Sequence, residues 1–244
     1  MKKLVAYLTT GYPDKNFTED LISAISPYVD ILELGVPFSD PVADGVIIEK
    51  ANGLALQNGI NFQDILDIAK NSKIDTFLMG YFNSFYNQKI DMLIPKLKDY
   101  NIQGLIIPDL PFEEIQTYRK LFTENSRDII PFIAPTDGEA RVKQILEFDN
   151  SKFTYLVAYA GITGSGKSES LDKIIENIRE YSKQNLFIGF GVNEKTAKEK
   201  VKNVDGVIVG TAFVKTLLED NLTSSEKIAR IVESAKIIKS SINE

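Results

Sequence analysis

The stretch Glu33-Leu-Gly-Val-Pro-Phe-Ser-Asp-Pro-Val-Ala-Asp-Gly45 carries two carboxylates with different surroundings, one in a strand and one in the loop that leaves it. Glu33 lies inside the apolar run Ile31-Leu32-Glu33-Leu34, where an unpaired buried charge costs several kcal/mol. Such surroundings favour the neutral acid, raise its pKa and suit it to give and take a proton near neutrality. Asp44, in a loop bounded by proline and glycine, is expected to stay ionised and to accept a hydrogen bond from an N–H donor. The plainer alternatives are that Glu33 pairs with a strand-end partner and that Asp44 caps a helix starting at Val46.

Two other stretches could bind anions. Gly189-Phe-Gly-Val-Asn193 and Val209-Gly-Thr-Ala212 each end a strand just before a helix. There Gly191 and Gly210 would let the backbone approach a phosphate and the Thr211 hydroxyl would add a donor, unless the glycines merely form tight turns. Gly161-Ile-Thr-Gly-Ser-Gly166-Lys167-Ser168 satisfies the Walker A pattern between a strand and a helix and supports a P-loop nucleotide triphosphatase as a second reading. Against it, the helical pattern is clear only from Leu171, which leaves Lys167 and Ser168 open to a loop placement. Asp109 as a Walker B acid is flanked by Pro108 and Leu110-Pro111, which suggest a kinked loop.

What the chain lacks narrows the chemistry. It has no histidine and no cysteine, which removes Ser-His and Cys-His catalysis, disulfides and the commonest zinc ligands. No strand carries a lysine near its carboxyl end for a Schiff base. Carbon-carbon cleavage would therefore need its electron sink in the substrate, such as an aromatic ring that can be protonated on carbon. With 28 basic and 34 acidic residues, net charge −6, and no basic block, nucleic acid and anionic membranes are poor partners. The apolar run Leu4 to Leu8 is too short for a signal peptide, and none approaches the ~18 residues of a membrane helix, so a cytoplasmic location is expected.

The elements that must position these groups alternate along the chain. Strands are expected at 3–9, 30–36, 76–80, 104–109, 129–134, 153–158, 186–189 and 207–209. Helices are expected at 17–25, 46–57, 62–69, 90–97 with Pro95 bending it, 112–122, 140–148, around Leu171 to Ile178, 195–201, 212–218 and 225–238. Eight strand-helix units without a linker predict one (β/α)8 TIM barrel domain over residues 1–244, with an open doubly wound sheet as the alternative. In a barrel the active site gathers at the carboxyl ends of the strands, where Glu33, Asp44, Tyr81, Asp109, Tyr155, Gly191 and Gly210 fall. By period two Glu33 shares a face with Ile31 and Gly35, opposite Leu32, Leu34 and Val36.

The Glu33–Gly45 stretch closely resembles the signature of the tryptophan synthase alpha chain. The likeness extends through Ala51-Asn52, Tyr81-Phe-Asn83, Pro108-Asp-Leu-Pro-Phe-Glu-Glu114, Tyr155, Gly161-Ile-Thr-Gly164, Gly189-Phe-Gly191 and Gly210-Thr-Ala-Phe-Val-Lys215. The resemblance implies a barrel lyase that cleaves indole-3-glycerol phosphate to indole and glyceraldehyde 3-phosphate. It implies Glu33 as the acid-base on the indole ring carbon and glycerol hydroxyl, Asp44 on the indole N–H, and Tyr155 beside the reacting glycerol phosphate. It further implies Tyr7, Ile106, Ile133 and Ile208 around the indole, and Thr163 orienting Asp44. Gly164, Phe190, Gly191, Gly210 and Thr211 would surround the phosphate. Pro37, Asp40, Asn83 and Asp109 would face a beta chain, in an expected alpha2beta2 heterotetramer whose pyridoxal phosphate belongs to the beta chain alone; no cofactor or metal is expected in this chain. The family usually has a helix before the first strand, so the barrel floor is expected to be less covered here, and an arginine where this chain has Tyr159. A lyase that releases indole on its own and a non-catalytic partner subunit remain as further readings.

Overall fold

Alternation along the strands sorts the apolar residues into two shells, one inside a ring of strands and one between the ring and its helices. The computed structural model describes residues 1–147, 151–158 and 168–244, leaving aside the side chains of 168–170. The first half runs β1 (Lys3–Thr9), α1 (Lys15–Ile25), β2 (Ile31–Gly35), α2 (Val46–Gln57), α3 (Phe62–Asn71), β3 (Asp75–Met79), α4 (Phe82–Tyr86) and α5 (Ile90–Leu93). A 3-10 helix (Ile94–Tyr100), β4 (Ile102–Ile106), α6 (Phe112–Glu124), β5 (Asp128–Ile130), β6 (Phe132–Ile133) and α7 (Glu139–Glu147) follow. The last part is β7 (Phe153–Val157), α8 (Ser168–Tyr181), β8 (Asn185–Gly189), α9 (Ala197–Lys200), β9 (Gly206–Val209), α10 (Thr211–Leu217) and α11 (Ser224–Ser241).

Among the described residues the strands form one nine-stranded sheet in the order β5-β4-β3-β2-β1-β9-β8-β7-β6, and the pairs are parallel. Its two outer strands, β5 and β6, are joined directly through Pro131, so the sheet closes on itself and the open doubly wound alternative falls. β5 and β6 are the halves of the predicted fifth strand, with β5 on β4 and β6 on β7. Proline has no N–H for the ladder, but the Pro131 carbonyl accepts the Tyr155 N–H at 2.9 Å. The eight predicted strand positions therefore hold, the fifth of them broken.

Other differences also have local causes. The fourth strand stops at Ile106 rather than Asp109, because the chain turns at Pro108 and the Asp109 carboxylate accepts the Phe82 N–H at 2.8 Å, capping the unpredicted α4. The helix expected over 90–97 is α5 followed by 3-10 turns around Pro95. The helix expected at 195–201 is only the short α9. Ser168 belongs to α8, against a loop placement, whereas Lys167 and Phe148 lie outside the described residues.

The shells follow the predicted faces. Ile31 belongs to the inner shell, Leu32, Leu34 and Val36 to the outer. Below the site the interior is filled by aromatic rings: Phe153 stacks on Phe187 at 4.6 Å and meets Phe77 edge-on at 5.5 Å. At the amino ends of the strands the floor carries ion pairs, Lys239 and Lys3 with Asp30 at 2.5 and 3.1 Å and Lys152 with Asp75. No helix among the described residues is long and apolar enough to cross a membrane.

Candidate active site

β2 points Glu33 into the barrel, in register between Tyr7 of β1 and Phe77 of β3. The side chain is fully buried and neither carboxylate oxygen has a hydrogen-bond partner among the described residues. Burial in this apolar layer pushes its pKa up to about 8. Pairing with a strand-end residue is thereby excluded among the described groups, and a neutral, proton-bearing acid at pH 7 remains.

Asp44 sits above it in the β2–α2 loop, in a turn closed by its own N–H donating to the Pro41 carbonyl at 2.9 Å. It does not cap α2: Gly45 holds the cap position and supplies no side-chain bond. Among the described residues the donor to its carboxylate is a hydroxyl. Tyr81 donates to Asp44 Oδ2 at 3.1 Å and accepts the Ala43 N–H at 2.9 Å, with Phe38 stacked on its ring at 5.3 Å. Burial raises the Asp44 pKa to about 6, with the Tyr81 hydrogen bond pulling the other way. Near pH 7 the two carboxyls thus differ in charge, one protonated and one ionised.

Both groups open into a pocket of about 700 Å³ of empty space, part of it continuous with solvent. It brings together Tyr7, Glu33, Asp44, Tyr155, Phe190, Gly191, Ile208, Gly210 and Thr211, all singled out from the sequence, and adds Gly45, Ile48, Met79 and Val192. Met79 could have been found by alternation, two residues beyond the inward Phe77; Ile48 and Val192 carried no such signal. Tyr7 of β1 and Tyr155 of β7 both reach in, each hydroxyl lying over a glycine of the neighbouring strand, Gly35 and Gly189, where a Cβ would collide with it. Tyr155 also stacks on Phe132 at 4.7 Å and meets Phe190 edge-on at 6.2 Å. Burial raises both tyrosine pKa values, so the phenols are neutral donors.

Several sequence candidates lie elsewhere. Ile106 is buried in the inner shell without lining the pocket, and Ile133 packs in the outer shell; its neighbour Phe132 faces inward instead. Pro37 is buried, while Asp40, Asn83 and Asp109 are exposed at the strand carboxyl ends. Thr163, Gly164, Tyr159 and the Walker-like residues up to Lys167 lie outside the described residues. Among the described residues no group of three or more His, Cys, Asp or Glu could hold a metal.

A family model described as tryptophan synthase alpha chain matches residues 1–243. The tryptophan synthase alpha chain of Wolinella succinogenes is 53% identical over 247 residues, covering 100% of this chain and 96% of that protein. The chain belongs to the tryptophan synthase alpha chain family. It is accordingly a lyase acting on indole-3-glycerol phosphate, and the nucleotide triphosphatase reading has no support. Among solved structures it is similar to the tryptophan synthase subunit alpha of Campylobacter jejuni, at 32% identity and a TM-score of 0.86 over 96% of this chain and 95% of that one. It is also similar to a chain of M. tuberculosis tryptophan synthase, at 27% identity and a TM-score of 0.88 over 100% and 94%. The pocket that gathers these acids and hydroxyl donors lies at the carboxyl ends of the strands, the end at which barrel enzymes carry their active sites.

Proposed function

We propose that Glu33 and Asp44 divide the proton work of indole-3-glycerol phosphate cleavage. Neutral Glu33 donates its proton to the indole ring carbon that bears the glycerol chain. The ring nitrogen becomes cationic, and ionised Asp44 accepts its N–H and stabilises that charge. The Glu33 carboxylate then removes the proton of the adjacent glycerol hydroxyl. The carbon-carbon bond breaks, its electron pair returns to the ring and cancels the positive charge, and glyceraldehyde 3-phosphate leaves as the aldehyde. Glu33 ends protonated, as it began. Tyr7 and Ile208 pack beside the ring, with Ile106 beneath, and Tyr155 donates toward the glycerol phosphate. The phosphate is held by the backbone of Phe190, Gly191 and Gly210 and by the Thr211 hydroxyl.

The observation that carries this reading is the pair of displaced carboxyls in one pocket, one at about 8 and the other at about 6. A general acid and an ion-stabilising carboxylate are needed together, and these environments supply one of each. The test is indole release from indole-3-glycerol phosphate by the purified chain: Glu33→Gln and Asp44→Asn should each lower kcat by roughly a hundredfold or more, and full activity in a folded Glu33→Gln variant would refute the assignment.

We further propose that a beta chain carrying pyridoxal phosphate binds across the pocket mouth at Asp40, Asn83 and Asp109, with buried Pro37 in the loop beneath, in an alpha2beta2 assembly, and that this chain needs no cofactor of its own. The support is the exposure of Val42, at 84% in the same loop as Asp44, and of Val46, at 76% on the first turn of α2. One domain over residues 1–244 working in the cytoplasm fits the continuous sheet and this biosynthetic role.

A further inference from the structure

The phosphate end of the pocket rests on a turn in an uncommon conformation. Phe190 and Gly191 follow one another in the left-handed region, at φ 71° and 67°. Glycine adopts it freely, whereas an L side chain such as phenylalanine avoids it, so the surroundings must hold Phe190 there. Two side chains from the next helical segment do so. Lys200 Nζ, at the end of α9, donates to the Phe190 carbonyl at 2.9 Å, and the Thr196 hydroxyl donates to the Gly191 carbonyl at 2.8 Å.

Each of these bonds has a consequence across the peptide. In a planar trans peptide the C=O and the following N–H point in opposite directions. Carbonyls drawn toward Lys200 and Thr196 therefore turn the N–H groups of Gly191 and Val192 the other way, and both residues line the pocket. Neither N–H donates to any partner among the described residues. A cation on a carbonyl also polarises the peptide and strengthens its N–H as a donor. Lys200 is half-buried, and burial lowers its pKa from the ordinary lysine value. No ion pair with a carboxylate is found for it among the described residues. Its charge is thus left to act on whatever the turn binds.

We propose that Lys200 is a positioning residue for the phosphate: its ammonium fixes and polarises the Phe190 peptide so that the Gly191 N–H meets a phosphoryl oxygen of the substrate. This rests on the placement of the phosphate at Phe190, Gly191, Gly210 and Thr211. A lysine held against a main-chain carbonyl behind the turn thereby sets the affinity for phosphorylated ligands without touching them.

The test measures KM and kcat for indole-3-glycerol phosphate, and inhibition constants for inorganic phosphate and for indole, in the wild type, Lys200→Met, Lys200→Arg and Thr211→Val. Lys200→Met should raise KM and the phosphate inhibition constant about tenfold, leave the indole constant unchanged and change kcat less than twofold, while Lys200→Arg restores most of the phosphate affinity. Lys200→Gln serves as the neutral variant if the methionine form does not fold. Unchanged phosphate inhibition in a folded neutral variant, or equal losses toward phosphate and indole, would overturn the proposal. Thr211→Val separates the two levels: if it weakens phosphate while the Lys200 variants do not, only the role of Lys200 fails; if neither does, the cradle itself is misplaced and this proposal falls with it.

Discussion

Two carboxyls held apart in pKa give the site a pH window that can be measured. The proposed mechanism needs Asp44 ionised and Glu33 protonated, so kcat/KM should rise through about pH 6 and fall through about pH 8. Removing the Tyr81 hydroxyl takes away the hydrogen bond that lowers the Asp44 pKa, so Tyr81→Phe should move the acid limb upward and leave the alkaline limb in place. A limb that moved at the alkaline end instead would contradict the assignment. Glu33 also taxes stability. Its pKa in the fold, about 8, exceeds the ordinary value of 4.5, so between these pH values the folded chain keeps a proton that the unfolded chain releases. Stability is full below that window and falls as pH rises through it, by at most about 1.4 kcal/mol for each pH step of one crossed. Urea unfolding should show Glu33→Gln more stable than the wild type at alkaline pH and nearly equal to it in acid, even as cleavage is lost. These two acids were legible in the sequence because an apolar alternation surrounds one and a Pro-Gly loop the other. The bond from Tyr81 was not, since its donor belongs to another loop 37 residues away, and Lys200 resembles any surface lysine until its carbonyl partner is seen.

The elements show why alternation carried so far. From Ile31 to Val36 the period-two pattern assigns every side chain to its shell, and the same period runs unbroken through Pro131, with Ile130 and Phe132 inward and Ile129 and Ile133 outward. Family likeness puts Ile133 at the indole, whereas counting from Ile130 points to Phe132. The strand break itself depends on which carbonyls and N–H groups lie opposite, information that a single strand does not contain. Barrel closure next to that break leans on Gly104, where a Cβ would run into the Asp128 backbone. Gly104→Ala should therefore lower stability by about 1–3 kcal/mol, read as a fall in the urea midpoint at constant slope. Gly53, within α2, has open space around a built Cβ. There the same substitution should raise stability by roughly 0.5–1 kcal/mol, because alanine loses less backbone entropy in a helix. Opposite signs from two identical changes would localise the constraint to the strand pair.

At the scale of the molecule the two ends of the barrel differ. The floor is edged by ion pairs such as Lys3–Asp30 and Lys152–Asp75, partly exposed and each worth little on its own. The mouth carries the pocket, and beside it Val42 and Val46 stand in solvent. Eight repeating units made this overall plan readable, since each strand-helix pair is local; a partner over the mouth, as proposed above, is not, because its surface is not written in this chain. Neutral polar replacements test it without adding charge beside Asp44. Covering one such valine stabilises a complex by about 1.5 kcal/mol or more, roughly a tenfold effect on Kd. Val42→Ser should therefore weaken beta-chain binding about tenfold. Indole release by the isolated chain should stay unchanged, because Val42 does not line the pocket. Calorimetric titration with a beta chain, alongside the assay of the chain alone, distinguishes the outcomes. Equal affinity for the two proteins would move the interface away from this loop, whereas a loss confined to the titration would place the partner over the mouth through which indole must leave.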